Sequence, residues 1–193
     1  ILFQVLSLTL PIYSNISPPL QPPSVAGPGV TTRILLTGGW VGSKLSSSSV
    51  FPSSPGCPLP SLPAPRDDHV TFTTASGLVA TCGGFGGGDT RLSTCLVLEA
   101  GRWRQDPRVP DLPQPRDRAA SVTVAAEGVY ILGGSGTEKS SQVLSTGGSW
   151  EEGPTLPGEG ARGACAVAWG GSIVLVGGRP EYNQVREYDT IRK

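Results

Sequence analysis

Four times in this chain a short apolar run ends in a Gly-Gly doublet, and the doublets are nearly evenly spaced. The runs are Ile34–Thr37 before Gly38-Gly39, Leu78–Cys82 before Gly83-Gly84, Val129–Leu132 before Gly133-Gly134, and Ile173–Val176 before Gly177-Gly178. Their first glycines are separated by steps of 45, 50 and 44 residues. A fixed period in the range of roughly 20–50 residues marks a repeat architecture, because each unit buries its apolar face only against a neighbouring unit.

The clearest unit is the third. Ala119–Ala125 alternates small and apolar residues as a strand does, and Glu127-Gly128 turns the chain into Val129–Leu132. That second run is apolar at every residue, which suits a strand buried on both faces. Gly133–Lys139 follows as a loop, Ser141–Leu144 as a third strand, and Gly147–Trp150 begins a fourth. No apolar i, i+3, i+4 stripe exceeds one turn, so helices are not expected. Four antiparallel strands per repeat of this length is the blade of a β-propeller. The 27 glycines and 19 prolines fall between apolar runs, as the turns of an all-β chain do.

The residues that recur with the doublets resemble kelch repeats. Arg66, Arg116 and Arg162 stand where that family opens its innermost strand, and each follows a Leu-Pro pair: Leu62-Pro63, Leu112-Pro113 and Leu156-Pro157. Trp103 and Trp150 match the fourth-strand tryptophan, with Cys57 in that neighbourhood of the first repeat. The third-strand aromatic is Phe51 in the first repeat and Tyr188 in the fourth, replaced by Leu98 and Leu144 between them. The resemblance covers residues 33–193 and implies an all-β, kelch-type β-propeller, partial, with about four blades of four-stranded antiparallel sheet. The first repeat lacks an evident innermost strand, and the fourth stops before its tryptophan strand. Kelch propellers usually have more blades, so the chain is expected to be a fragment of a longer propeller.

Residues 1–32 are read as a separate N-terminal segment. The chain opens with Ile, and Ile1–Leu10 is mostly apolar up to Pro11, like the core of a signal peptide without its basic start. A truncated first strand or a gene-model artefact is the alternative. Pro18, Pro19, Pro22, Pro23 and Pro28 favour an extended linker, and Asn15-Ile16-Ser17 is a glycosylation sequon followed directly by Pro18.

Few reactive groups are present. Fifteen basic and fifteen acidic residues balance, which removes the basic stripe expected of a nucleic-acid binder. No apolar stretch reaches the ~18 residues of a membrane span. His69 is the only histidine and is read as structural. One histidine and four scattered cysteines do not make a zinc site of usual spacing, and the imidazole ligands of the copper-using kelch oxidases are missing. Gly83–Gly88 lacks the Lys-Ser or Lys-Thr and the following helix of a phosphate loop. No nucleophile motif stands out, so no catalysis, metal or cofactor is expected.

Cys82 ends one strand and Cys95 begins its antiparallel neighbour, so the pair is expected as a disulfide, with free buried cysteines as the alternative. Some extracellular kelch-like chains share this Cys-Gly-Gly…Cys arrangement. Cys57 and Cys165 have no evident partner. A disulfide would place the protein outside the cytosol.

The resulting expectation is a non-catalytic scaffold binding a protein or peptide, secreted, with a cytoplasmic location as the alternative. Its rivals are a fragment of a propeller enzyme whose active site lies in other blades, and an intracellular kelch adaptor presenting substrates. Recognition is expected in loops 40–47, 85–93, 135–140 and 179–183. Arg66, Arg116 and Arg162 are candidate ligand-binding residues, set as a partial ring of guanidiniums suited to a carboxylate-bearing peptide, or else braces of their own blades.

Overall fold

In a computed structural model, the structure describes residues 6–8, 33–51, 59–125, 127–169, 171–180 and 184–189. The fold is all-β, built from four antiparallel sheets, and a 3-10 turn at Gly87–Asp89 is the helical element among the described residues. The first sheet contains β1 (Leu6–Leu8), β2 (Arg33–Thr37) and β3 (Ser48–Phe51). In the second sheet are β4 (Val70–Thr73), β5 (Val79–Cys82), β6 (Cys95–Glu99) and β7 (Arg102–Arg104). The third comprises β8 (Ala120–Val124), β9 (Gly128–Leu132), β10 (Ser141–Leu144) and β11 (Trp150–Glu152). Last come β12 (Cys165–Trp169), β13 (Ser172–Val176) and β14 (Val185–Asp189). Within each sheet the strands lie in chain order. The strand β1 comes from the apolar segment that the sequence sets apart from the repeats, and it pairs with β2 through Leu6↔Leu35 and Leu8↔Arg33.

Successive sheets pack face to face, and side-chain alternation along each strand divides every sheet into a rear face towards its predecessor and a forward face towards its successor. Leu35 of the first sheet meets Leu62, Leu96 and Trp103 of the second. The forward face of the second sheet (Val70, Phe72, Ala80, Val97) meets Ala119, Val129, Ile131 and Leu144 of the third. The forward face of the third (Ala120, Val122, Val124, Tyr130, Leu132) meets Ala164, Ile173, Leu175 and Tyr188 of the fourth. Strand β9 contributes alternate residues to two cores and is buried along its whole length, which is why its sequence is apolar without alternation.

The repeating residues have repeating roles. Leu62, Leu112 and Leu156 are all buried, and their amides donate to Ser46 O, Ser93 O and Lys139 O of the preceding sheet. The indole N–H of Trp103 donates to Pro60 O at 3.0 Å, and that of Trp150 to Pro110 O at 2.7 Å. Each tryptophan thus ties the outer strand of its sheet to the linker that leads in, satisfying the one donor that burial would strand. First strands are joined too: the hydroxyls of Ser121 and Thr123 on β8 donate to Thr71 O and Thr73 O on β4.

Cys82 and Cys95 are directly opposed in register, their Cα atoms 4.1 Å apart, and they form a disulfide. The Cys95 amide is turned away from Cys82 and donates to Asp111 Oδ1, as at a non-hydrogen-bonded antiparallel pair, where side chains approach most closely. The bridge is fully buried on the forward face of the second sheet. Cys165 is a free, exposed thiol on β12. Cys57, for which the sequence suggests no partner, lies outside the described residues.

Candidate binding face

One end of the stacked sheets is assembled by the Gly-Gly doublets. The amides of Gly39, Gly84 and Gly134 donate to Arg66 O, Arg116 O and Ala161 O of the following unit at 2.9, 2.7 and 2.8 Å. The preceding glycines lie so close to these carbonyls that a Cβ at Gly38, Gly83 or Gly133 would sit 2.4, 2.5 or 1.9 Å from the same oxygens. Their φ values of 55°, 69° and 66° add the left-handed backbone that side chains disfavour. Loops between second and third strands therefore share this end with the linkers into the next sheet, as the strand alternation predicts. Of the fourth such loop, Arg179 and Pro180 are described and 181–183 lie outside the described residues.

Two of the three candidate arginines are built into the scaffold here. Arg66 is buried and donates to Gly83 O, Thr94 O and Thr94 Oγ1 at 3.2–3.3 Å. Arg116 is buried in the same way, donating to Gly133 O at 2.8 Å, Ser140 Oγ at 2.7 Å, and Ser140 O and Gln142 Oε1 at longer range. Burial lowers the pKa of both guanidiniums from the usual arginine value, and the groups are held by carbonyls rather than carboxylates.

Arg162 is not their equivalent. The carbonyl that receives the next doublet amide belongs to Ala161, so Ala161 stands in the position of Arg66 and Arg116. Arg162 pairs with Arg179 as Asp67 pairs with Phe85, one residue further along. The doublet carbonyl of the fourth sheet is reached instead by Arg186 from β14, which donates to Gly177 O and Gly160 O. Arg162 Nε has no hydrogen-bond partner among the described residues. The expected ring is thus two buried braces and one offset arginine, because a one-residue shift leaves the Leu-Pro…Arg pattern intact while changing the register.

Above the buried arginines lies a layer of mixed charge that the sequence reading did not single out. Asp117, fully buried, faces Arg91 Nε at 2.9 Å and accepts the Ser135 hydroxyl at 2.6 Å. Arg118 pairs with Asp68 at 2.8 Å, and Lys44 pairs with Asp89. The Lys44 ammonium and the Arg118 guanidinium both lie over the Phe85 ring, 5.8 and 6.0 Å from its centre, within range of cation–π attraction. Asp67 sits beneath them with its Oδ1 buried and unpartnered among the described residues. Burial, with the neighbouring Asp68, pushes its pKa above the usual carboxylate range. Trp40 and Val41, in the first loop, are 53% and 52% exposed. The recurring Arg-Asp doublets, Arg66-Asp67 and Arg116-Asp117, carried the sequence signal: the arginine of each braces the scaffold, and the aspartate lies beside the cations of this layer.

An open depression of about 600 Å³ lies at the same end, lined by Gln114, Glu159 and the loop 136–140. A smaller cavity of about 270 Å³ lies among the 74–78 and 144–148 turns, with Arg108 and Gly128.

His69 links the first two sheets. Its Nε2 is 2.9 Å from the Thr37 hydroxyl, which is in turn 3.1 Å from Thr71 Oγ1. Desolvation first, and the Arg66 charge second, lower its pKa to about 3, so the ring is neutral at physiological pH. Among the described residues no group of three His, Cys, Asp or Glu side chains is placed to hold a metal ion, and no helix is long and apolar enough to cross a membrane.

No protein-family model matches this chain, and no curated protein matches it.

Proposed function

We propose that this chain is a kelch-type β-propeller segment that serves as a non-catalytic scaffold for a protein or peptide ligand, bound at the Gly-Gly end. The observation that carries this reading is the division of labour at that end. Buried arginines and glycine–carbonyl contacts brace the loops, and the braced loops offer exposed Trp40 and Val41 beside the Lys44–Phe85–Arg118 cluster. Variable loops on a rigid frame are where recognition concentrates, and an exposed tryptophan is a favoured anchor. The unpartnered Asp67 Oδ1 favours a ligand bearing a cationic or hydrogen-bond-donating group over the carboxylate-bearing peptide that a ring of guanidiniums would take. His69 is desolvated and held on Thr37, a poor general base at neutral pH. The buried disulfide supports an oxidising, extracellular location.

Selection of a random displayed peptide library on the oxidised protein tests the reading. Enriched peptides are expected to carry a basic residue, and to lose at least about ten-fold in affinity on Trp40→Ala or Asp67→Asn with the thermal midpoint unchanged. No enrichment, or enriched peptides indifferent to both changes, overturns it.

A further inference from the structure

The junction between the first and second sheets and that between the second and third are built alike and differ at one ion pair. Leu45 O accepts from the Arg66 amide at 3.0 Å, as Leu92 O accepts from the Arg116 amide at 3.2 Å. The amides of Leu45 and Leu92 donate in turn to Gly39 O and Gly84 O, both at 2.8 Å. Lys44 and Arg91, which precede the two leucines, are therefore equivalent, and so are Asp67 and Asp117, which follow the two arginines. At the second junction the loop cation meets the linker carboxylate: Arg91 Nε lies 2.9 Å from Asp117 Oδ1. At the first it does not. Lys44 is turned aside to Asp89 and lies over the Phe85 ring, and Asp67 Oδ1 has neither a hydrogen-bond nor an ion-pair partner among the described residues.

The diversion has a local cause. The turn at Gly87–Asp89 stands out from the second loop and carries the Asp89 carboxylate to the Lys44 ammonium. Asp67 is half-buried where Asp117 is fully buried, so the place that Arg91 takes at the second junction is not filled at the first by the protein's own cation. A desolvated carboxylate without its cation is costly, and Asp67 is held above the usual carboxylate range by burial first and by Asp68 second. Trp40 and Val41, both about half exposed, belong to the same short loop as Lys44, which the Trp40↔Lys44 bridge closes.

We propose that an arginine side chain of the ligand occupies, over Asp67, the place that Arg91 occupies over Asp117, and that Asp89 keeps this place clear by drawing Lys44 aside. The inference rests on the Gly-Gly end being the binding face, and adds the residue class that is recognised there. A guanidinium suits the place better than an ammonium, because its planar fork donates two parallel hydrogen bonds to one carboxylate. Arg91 shows the approach within the same fold. Asp89 is a positioning residue, since it touches Lys44 rather than the ligand.

Lys44→Arg tests the proposal by supplying the missing guanidinium from within. The probes are three capped, fluorescently labelled hexapeptide mixtures, identical except for arginine, lysine or citrulline at one fixed position, followed by anisotropy. The unmodified protein is expected to bind the arginine mixture at least about three-fold more tightly than the lysine mixture, and at least about ten-fold more tightly than the uncharged citrulline mixture. Lys44→Arg is expected to weaken binding of the arginine mixture at least about ten-fold, and to have no further effect in an Asp67→Asn background, since both changes act at one carboxylate. Circular dichroism is expected to stay unchanged in each variant. Citrulline or lysine bound as tightly as arginine overturns the proposal. So does a Lys44→Arg protein that binds the arginine mixture like the unmodified one, or one that loses as much again when Asp67 is already Asn. If Trp40→Ala weakens binding while Lys44→Arg leaves it alone, the binding face stands and the arginine site is wrong. If none of the mixtures binds, both fall together.

Discussion

The third and fourth sheets are built on one repeat, yet the fourth solves the same local problem with a different residue. In the third sheet, the carbonyl of the first doublet glycine accepts from Arg116, which enters from the linker before the first strand. In the fourth, the corresponding carbonyl of Gly177 accepts from Arg186, which enters from the third strand, while the linker position holds Ala161. The contact is kept and its donor is moved. The carbonyl of the first doublet glycine accepts from side chains in both sheets, and an oxygen without a ladder partner needs a donor from somewhere. The sheets also differ in their forward faces: that of the third is covered by the fourth, and that of the fourth is exposed.

The largest expected effect separates the two arginines that the repeat pattern equates. Arg116→Ala removes the side chain's hydrogen bonds to Gly133 O, Ser140 O, Ser140 Oγ and Gln142 Oε1 from a buried site and leaves its volume unfilled, and is expected to cost about 3 kcal/mol. Arg162→Ala removes no hydrogen bond among the described residues and is expected to stay within about 0.5 kcal/mol. Urea midpoints of the two variants read the difference directly, and equal losses would show that Arg162 braces its sheet after all.

Cysteines give the next contrast. Reducing Cys82–Cys95 opens a loop with a sequence separation of 13 residues and is expected to cost about 3 kcal/mol on the chain-entropy account. Cys165→Ser, at an exposed position of the fourth sheet, is expected to change stability by less than about 0.5 kcal/mol. Urea unfolding with and without reductant, on both backgrounds, checks the pair.

A third test uses pH. His69 stands in the second sheet where the third and fourth carry Ala119 and Ala164. Its folded pKa, about 3, lies below the unfolded value of 6.5. Below 6.5 the unfolded chain takes up a proton that the folded chain refuses, so stability falls as pH drops through the window from 6.5 towards 3. Between pH 7 and pH 4.5 that loss is expected to reach roughly 2.5 kcal/mol. His69→Ala, which copies the later sheets, is expected to flatten this part of the profile, and a profile unchanged in the variant assigns the loss to other groups.

The smallest effect concerns the exposed face itself. Val122→Ala, on the buried forward face of the third sheet, is expected to cost about 1.5 kcal/mol. Val167→Ala, at the equivalent exposed position, is expected to cost almost nothing. Thermal midpoints at low protein concentration distinguish them.

The amino-acid pattern by itself determined the period, the strands and the turns. Ser141–Leu144 is a strand as read, and the expected strand Ala119–Ala125 is observed as Ala120–Val124. Val129–Leu132 is buried as its continuous apolar run implies. These features are local: alternation, apolar runs and glycines state their own backbone preferences. The pairing of Cys82 with Cys95 was also legible, because two adjacent strands and a turn place the residues opposite one another. Tertiary structure alone decided that Leu6–Leu8 joins the first sheet, that Arg66 and Arg116 point inwards, and that Arg162 is one residue out of step. The physical reason is that each depends on which distant carbonyl a group can reach. A Leu-Pro…Arg spacing tolerates a one-residue shift without any change of local preference, whereas a hydrogen bond of about 3 Å does not. The charged layer of Lys44, Phe85, Arg118 and Asp67 escaped the sequence for the same reason: its members come from three successive units, and only the stacking of sheets brings them together.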